Sequence, residues 1–215
     1  LYLALLLASV FPISAEQARL NLFIWSEYMD PGIVVDFEKR FDCKLTIDVY
    51  EDAESMLAKV QNGGLGLYDV VVPTDHLVPA MIQLNLLAPL RHENIPNLKN
   101  LDDQFRNPPY DKGNRFTVAY QWGTLGIFAR LREGKVPDTW GTFFNPKLQA
   151  GSSFVMIDSV RDLLGAALKY KGYSLNSTDP KQLKEARDLI LSAKKRAVGF
   201  DGSVGSRNKV LSKNI

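Results

Sequence analysis

The chain has 215 residues, of which 46% are hydrophobic, 23% charged and 10% aromatic, a balance that excludes disorder, collagen-like repetition and a polytopic membrane protein. Its 26 basic and 24 acidic side chains are interspersed, so the net charge of +2 includes no basic tract able to neutralise a row of phosphates, and nucleic acid is not an expected partner. At roughly 150 residues per domain the length falls between one and two domains. The single cysteine, Cys43, excludes an internal disulfide or a multi-cysteine metal site and reads as a small buried hydrophobe.

Residues 1–15, LYLALLLASVFPISA, are uncharged and end in small side chains. That is the pattern of the apolar core and cleavage end of a secretory leader, short of the ~20 residues a bilayer span needs. No cysteine stands at the cleavage point to carry a lipid, so export as a soluble protein is expected. LNLFIW (20–25) reads as a buried strand. Asp30 before Pro31 then starts a helix, with proline at the first helical position and Ile33, Val34, Phe37 and Phe41 on one apolar face. Leu45, Ile47 and Val49 alternate with Thr46, Asp48 and Tyr50, the period of a strand with one buried face. A helix follows from about Ala53, with Met56, Leu57 and Val60 inward, and Asn62, Gly63 and Gly64 end it. YDVVVP (68–73) is a short apolar strand before a helix carrying Leu77, Val78, Met81 and Ile82. This βαβαβα order predicts a parallel sheet covered by helices on both faces.

Residues 91–115 read as a long surface connection, and 115–129 as extended chain that bends or crosses at Gly123 and Gly126. A second αβ series follows. SSFVMI (152–157) is a strand and Asp158 is placed to cap the next helix, whose inner face carries Val160, Leu163, Leu164, Ala167 and Leu168. Asp179 before Pro180 opens a helix to about Arg196, and RAVGFD (196–201) begins another strand. The expected organisation is a leader at 1–15, a first lobe at 16–124 and a second, incomplete lobe at 125–215.

In open α/β sheets ligands bind beyond the carboxyl ends of the strands, where the strand-to-helix turns gather. Four such turns here carry polar or aromatic groups: Trp25-Ser26-Glu27-Tyr28, Thr74-Asp75-His76, Asp158-Ser159 with Asp162, and Asp201-Gly202-Ser203. Taken singly, Thr74, Asp158 and Ser203 are explained as helix caps, Asp162 as a charge favoured by its helix dipole, and Glu27 as a solvated carboxylate. Trp25 and Tyr28 alone would be packing under the first helix. Taken together, aromatic faces and carboxylates recurring along one edge form a box for a cation. Catalysis finds little support: His76 and His92 lie in unrelated contexts, and neither a metal-binding HExxH nor a GxSxG elbow is present. NGGLG (62–66) ends a helix before a strand, the reverse of a phosphate cradle.

The segments LNLFIWSEYMDP, YEDAESMLAKVQNGGLGLYDVVVPTDHLVPAMIQLNLLAPL, IPNLKNLDDQF and YQWGTLGI resemble the periplasmic spermidine/putrescine-binding proteins, the substrate-capture subunits of polyamine ABC importers. The resemblance covers almost all of residues 20–215. It implies the two-lobed α/β fold of periplasmic binding proteins (type II-like), with solute held between lobes that close about a hinge. Relative to that family the second lobe and the return crossover are incomplete, which leaves a fragment or a truncated product as the two expectations. Matched by motif, Trp25 and Tyr28 become aromatic walls, and Ser26 and Glu27 polar contacts. Thr74 matches a serine or threonine, and His76 falls where a tyrosine is usual. Ser159 replaces an acidic ligand contact and Asp162 a glutamate, so one cleft charge is missing, with Asp75 or Asp158 as substitutes. An imidazole is a weaker cation platform than a phenol and, once protonated, repels an ammonium, so capture is expected to weaken in acid.

The function implied is non-catalytic: periplasmic capture of a polyamine by a monomer that docks on a membrane permease, with no cofactor. The rivals are the same fold binding another solute as a sensor, a non-binding fragment, and a periplasmic enzyme on the same scaffold.

Overall fold

The computed structural model describes residues 17–130, 138–148 and 153–215. The expected leader, 1–15, lies outside the described residues. The first half holds a three-stranded parallel sheet in the order β2-β1-β3, made of β1 (Ala18–Trp25), β2 (Cys43–Tyr50) and β3 (Val70–Val71). The central strand buries three consecutive residues, Leu22, Phe23 and Ile24, because helices cover both faces of the sheet. One face packs Leu22, Ile24 and Leu45 with Val34 and Ile47, under α1 (Pro31–Phe41). The other gathers Phe23, Tyr50, Met56, Val60, Leu77 and Met81 under α2 (Ala53–Gln61) and α3 (Val78–Gln83). Asp30 caps α1 by accepting a hydrogen bond from Gly32 N at 2.6 Å, and Asp52 caps α2 from Ser55 N at 2.7 Å. Cys43 is buried, as a small hydrophobe should be.

Two details of this half differ from the simple periodicity. Val49 is 59% exposed while Tyr50 is 7% exposed, reversing the alternation at the end of β2. The phenol is held by the second face of the sheet: its ring lies 5.0 Å from Phe23 and 4.5 Å from Trp25, and its hydroxyl donates to the carbonyl of Val72. Helix α1 buries no residue completely, with Ile33 and Phe41 each largely exposed. Val34 is the α1 residue that packs against the Leu22, Ile24 and Leu45 core.

The second half repeats the scheme on a smaller scale. Strands β4 (Val155–Ile157) and β5 (Gly199–Asp201) pair in parallel. Around them lie α4 (Gly141–Phe144), α5 (Val160–Tyr170), α6 (Pro180–Lys194) and α7 (Ser203–Leu211). Phe144, Phe154, Met156 and Leu168 form the core with Ala167, Ala186 and Ala193, whose small side chains let α5 and α6 approach closely. Val160, expected on the inner face of α5, is 66% exposed, because it occupies the first helical position beyond the end of the sheet. Asp158 is not the cap of α5. Ser159 is the N-cap residue, its hydroxyl accepting from Asp162 N at 3.4 Å.

Residues 92–114 run over the surface as a series of short 3-10 turns. The last of these turns follows Asp111, a buried carboxylate that accepts from the backbone N–H groups of Arg115, Phe116 and Thr117 and from the Thr117 hydroxyl. Residues 117–130 continue without regular secondary structure toward the second half. Tyr120 of this segment donates its hydroxyl to the carbonyl of Tyr28 at 2.6 Å, tying the connection to the turn after β1.

Candidate functional site

Strand polarity places the candidate turns. Because β1, β2 and β3 are parallel, the turns after Trp25, Tyr50 and Val71 all leave the same edge, and β4 and β5 likewise send Asp158 and Ser203 from one edge. Adjacent backbone bonds hold each set together. Ser26 N donates to Tyr50 O at 3.1 Å, Val72 N to Phe23 O at 2.9 Å, and Asp158 N to Asp201 O at 2.8 Å.

The two edges meet in an open cleft of about 360 Å³ lined by Ser26, Glu27, Tyr28, Phe128, Ser203, Val204 and Arg207. Four of the residues singled out in the sequence are therefore brought together: Ser26, Glu27 and Tyr28 from the first half and Ser203 from the second. Trp25 sits directly behind, its ring 6.2 Å from Tyr28 and 4.5 Å from Tyr50, so it buttresses the aromatic wall. Glu27 holds a left-handed backbone conformation, φ 60°, which non-glycine residues adopt at a cost of roughly 1 kcal/mol and which concentrates at functional turns.

Glu27 is not a freely solvated carboxylate. Both its oxygens accept from Arg207, Oε1 from Nη2 at 2.7 Å and Oε2 from Nη1 at 2.8 Å, a bidentate pair linking residues 180 apart in sequence. The hydrogen bonds from Arg207 hold the Glu27 carboxyl below the usual glutamate range, and the same pair raises the guanidinium above its own. Glu51, in the turn after β2, adds a weaker attraction on Arg207, and its carboxylate lies against Gly202 so closely that a Cβ there would collide with it. One arginine in the second turn of α7 thus faces two carboxylates of the opposite sheet edge.

The other residues singled out in the sequence, Thr74, Asp75, His76, Asp158, Ser159 and Asp162, are not among those lining this cleft. Thr74, Asp75 and His76 leave β3, and His76 N bonds the Asp75 carboxylate at 2.8 Å. Thr74 makes no side-chain cap bond. Its Oγ1 and Nε2 of His76 are buried side-chain polar atoms with no hydrogen-bond partner among the described residues, a situation native proteins normally avoid outside ligand contacts or ordered water. Asp158 and Asp162 are exposed at the tip of β4 and in the first turn of α5, and Ser159 is engaged in its cap. Ser203 also makes no cap bond, since Gly202 takes the capping position of α7. The cap explanation therefore holds for none of Thr74, Asp158 and Ser203.

Sequence reasoning missed Phe128, Val204 and Arg207. A signal for Arg207 exists: it follows Ser203 by four residues, one helical turn, and so shares its face. Phe128 carries no local signature, because nothing in an extended segment says which sheet edge it will cross. Among the described residues no group of three or more His, Cys, Asp or Glu side chains is arranged to hold a metal, and no helix is long and apolar enough to cross a membrane.

Parallel sheets whose carboxyl edges face each other across an open, charged and aromatic cleft define a ligand-binding α/β protein of the periplasmic-binding-protein type. Comparison with known proteins agrees: residues 32–209 match the bacterial extracellular solute-binding protein family, and the chain belongs to it. It is 34% identical over 209 residues to the putrescine/cadaverine-binding protein of Pseudomonas aeruginosa, covering 93% of this chain and 59% of that protein. It is 31% identical over 188 residues to the spermidine/putrescine-binding periplasmic protein of Escherichia coli, covering 86% and 53%. Among solved structures, the spermidine/putrescine ABC transporter substrate-binding protein PotD of Streptococcus pneumoniae superposes with a TM-score of 0.69 at 28% identity, over 93% of this chain and 61% of that one. The chain spans a little over half the length of the curated relatives it matches.

Proposed function

We propose that this chain captures a small polyamine, putrescine or a similar cation, in the periplasm for delivery to the permease of an ABC importer. The observation that carries the reading is the cleft lined by the Ser26-Glu27-Tyr28 turn of one sheet, Ser203 of the other and Phe128 of the connecting segment. A carboxylate flanked by aromatic rings suits an ammonium group, through a charge-assisted hydrogen bond and cation–π attraction. The names of the polyamine-binding relatives point to the same solute class.

In this reading Trp25 and Tyr28 form the wall and Glu27 takes one ammonium. Thr74, Asp75 and His76 border the first lobe's side, Asp158, Ser159, Asp162 and Ser203 the second's. The lobes, 16–124 and 125–215, close about the crossing near Gly123 and Gly126, and only the closed form docks on the permease. Residues 1–15 direct export. The chain acts as a monomer without a cofactor and performs no chemistry on its solute. Titration calorimetry with putrescine, spermidine, a basic amino acid and a neutral osmolyte tests this. Heat from putrescine or spermidine, with the solute recovered unchanged, is the expected result. Heat from a different solute alone overturns the polyamine assignment and keeps the fold.

A further inference from the structure

Arg207 is the one cation lining the cleft among the described residues, and it stands on the carboxylate that a cationic solute would need. Each oxygen of Glu27 already accepts one guanidinium N–H in fork geometry, so an incoming ammonium finds the favourable approach occupied and a positive charge beside it. The contact joins the two halves: Glu27 belongs to the turn after β1, and Arg207 to the second turn of α7. Two further features hold Arg207 there. Gly202, the capping residue of α7, leaves room for Glu51 to lie against the start of that helix, and Glu51 contributes to the field on Arg207. Tyr120, bonded to the carbonyl of Tyr28, fixes the backbone beside Glu27. The pair is nonetheless half-exposed, with side-chain accessibilities of 40% for Arg207 and 53% for Glu27, so the guanidinium is able to swing into solvent.

Resting on the polyamine reading of this cleft, we infer that Arg207 is an intramolecular competitor for the solute. It occupies Glu27 as a stand-in ammonium, is displaced when a polyamine binds, and so sets affinity and discriminates against weakly held monocations. A dication with a second anchoring group outcompetes the tethered arginine, whereas a monoamine of the same length does not. The residue acts by its charge and reach, so lysine should reproduce part of the effect and glutamine none.

Calorimetric titration of the protein with putrescine and with butylamine, for the parent and for R207Q, R207K and E27Q, tests the inference. Removing the competitor should tighten putrescine binding roughly fivefold, the size of one half-exposed ion-pair contribution. It should raise butylamine affinity by at least as much. R207K should lie between the parent and R207Q, and E27Q should lose most of the putrescine heat. Putrescine binding that is unchanged or weaker in R207Q, in a protein where E27Q does lose it, overturns this inference and leaves the polyamine reading standing. Absence of putrescine binding in both parent and R207Q overturns both.

Discussion

Replacing Asp111 by alanine tests how the connecting segment is held against the binding turn. The carboxylate is 4% exposed and accepts four hydrogen bonds, from Arg115 N at 3.1 Å, Phe116 N at 2.9 Å, Thr117 N at 2.7 Å and Thr117 Oγ1 at 2.7 Å. Arg115 is exposed and its N–H is rehydrated when the acceptor goes, which leaves three donors in half-buried surroundings. At about 1–2 kcal/mol for each half-buried donor left without its acceptor, D111A should cost about 3–6 kcal/mol, and D111N, which keeps one acceptor oxygen, about half of that. Urea unfolding followed by circular dichroism reads the loss as a lower midpoint at unchanged slope. The same segment carries Tyr120 to the carbonyl of Tyr28, so hydrogen exchange at residues 26–28 should accelerate in D111A. A D111A midpoint within the equivalent of about 1 kcal/mol of the parent would refute the assignment of Asp111 as the anchor of this loop.

Other perturbations have equally specific consequences. Met56 is completely buried between α2 and the sheet, and M56A should lower unfolding stability by about 2–5 kcal/mol in the same denaturation assay. G64A places a Cβ 2.6 Å from the carbonyl oxygen of Lys59, a backbone atom unable to give way, and thermal unfolding should show a loss of about 1–3 kcal/mol. Acidification should weaken the contact between the halves. The hydrogen bonds from Arg207 depress the folded pKa of Glu27, so its contribution is present above the unfolded glutamate value of 4.5 and is lost as pH falls through the lower folded value. Melting temperatures measured from pH 6 down to pH 3 should therefore fall less steeply in E27Q than in the parent, and equal slopes would show that the pair adds nothing to folding.

The elements legible in the sequence are those whose local chemistry is unambiguous. Asp30-Pro31 and Asp179-Pro180 mark the starts of α1 and α6, and the alternation that begins at Leu45 marks β2, although its last pair, Val49 and Tyr50, is reversed in burial. The turns Trp25 to Tyr28 and Asp201 to Ser203 were identifiable as binding candidates because parallel strands send their loops to one edge. What pattern alone did not reveal depends on contacts distant in sequence. Tyr50 turns inward because Phe23 and Trp25 receive its ring, and Ser159 rather than Asp158 caps α5 because β4 runs on to pair Ile157 with Asp201. Nor does any local signal tell that Glu27 would be neutralised by an arginine 180 positions away. The polar residues at the strand tips were readable as a set, whereas which of them meet across the cleft is a property of how the two sheets are set against each other.

A crystal structure of the protein soaked or co-crystallised with putrescine is the most direct measurement of the central claim, that the carboxyl edges of two sheets enclose one cationic solute. A diamine is expected between Tyr28 and Ser203, with one nitrogen within hydrogen-bonding distance of Glu27 and Arg207 swung away from it. Putrescine bound elsewhere on the molecule, with the Glu27–Arg207 pair intact, would contradict it.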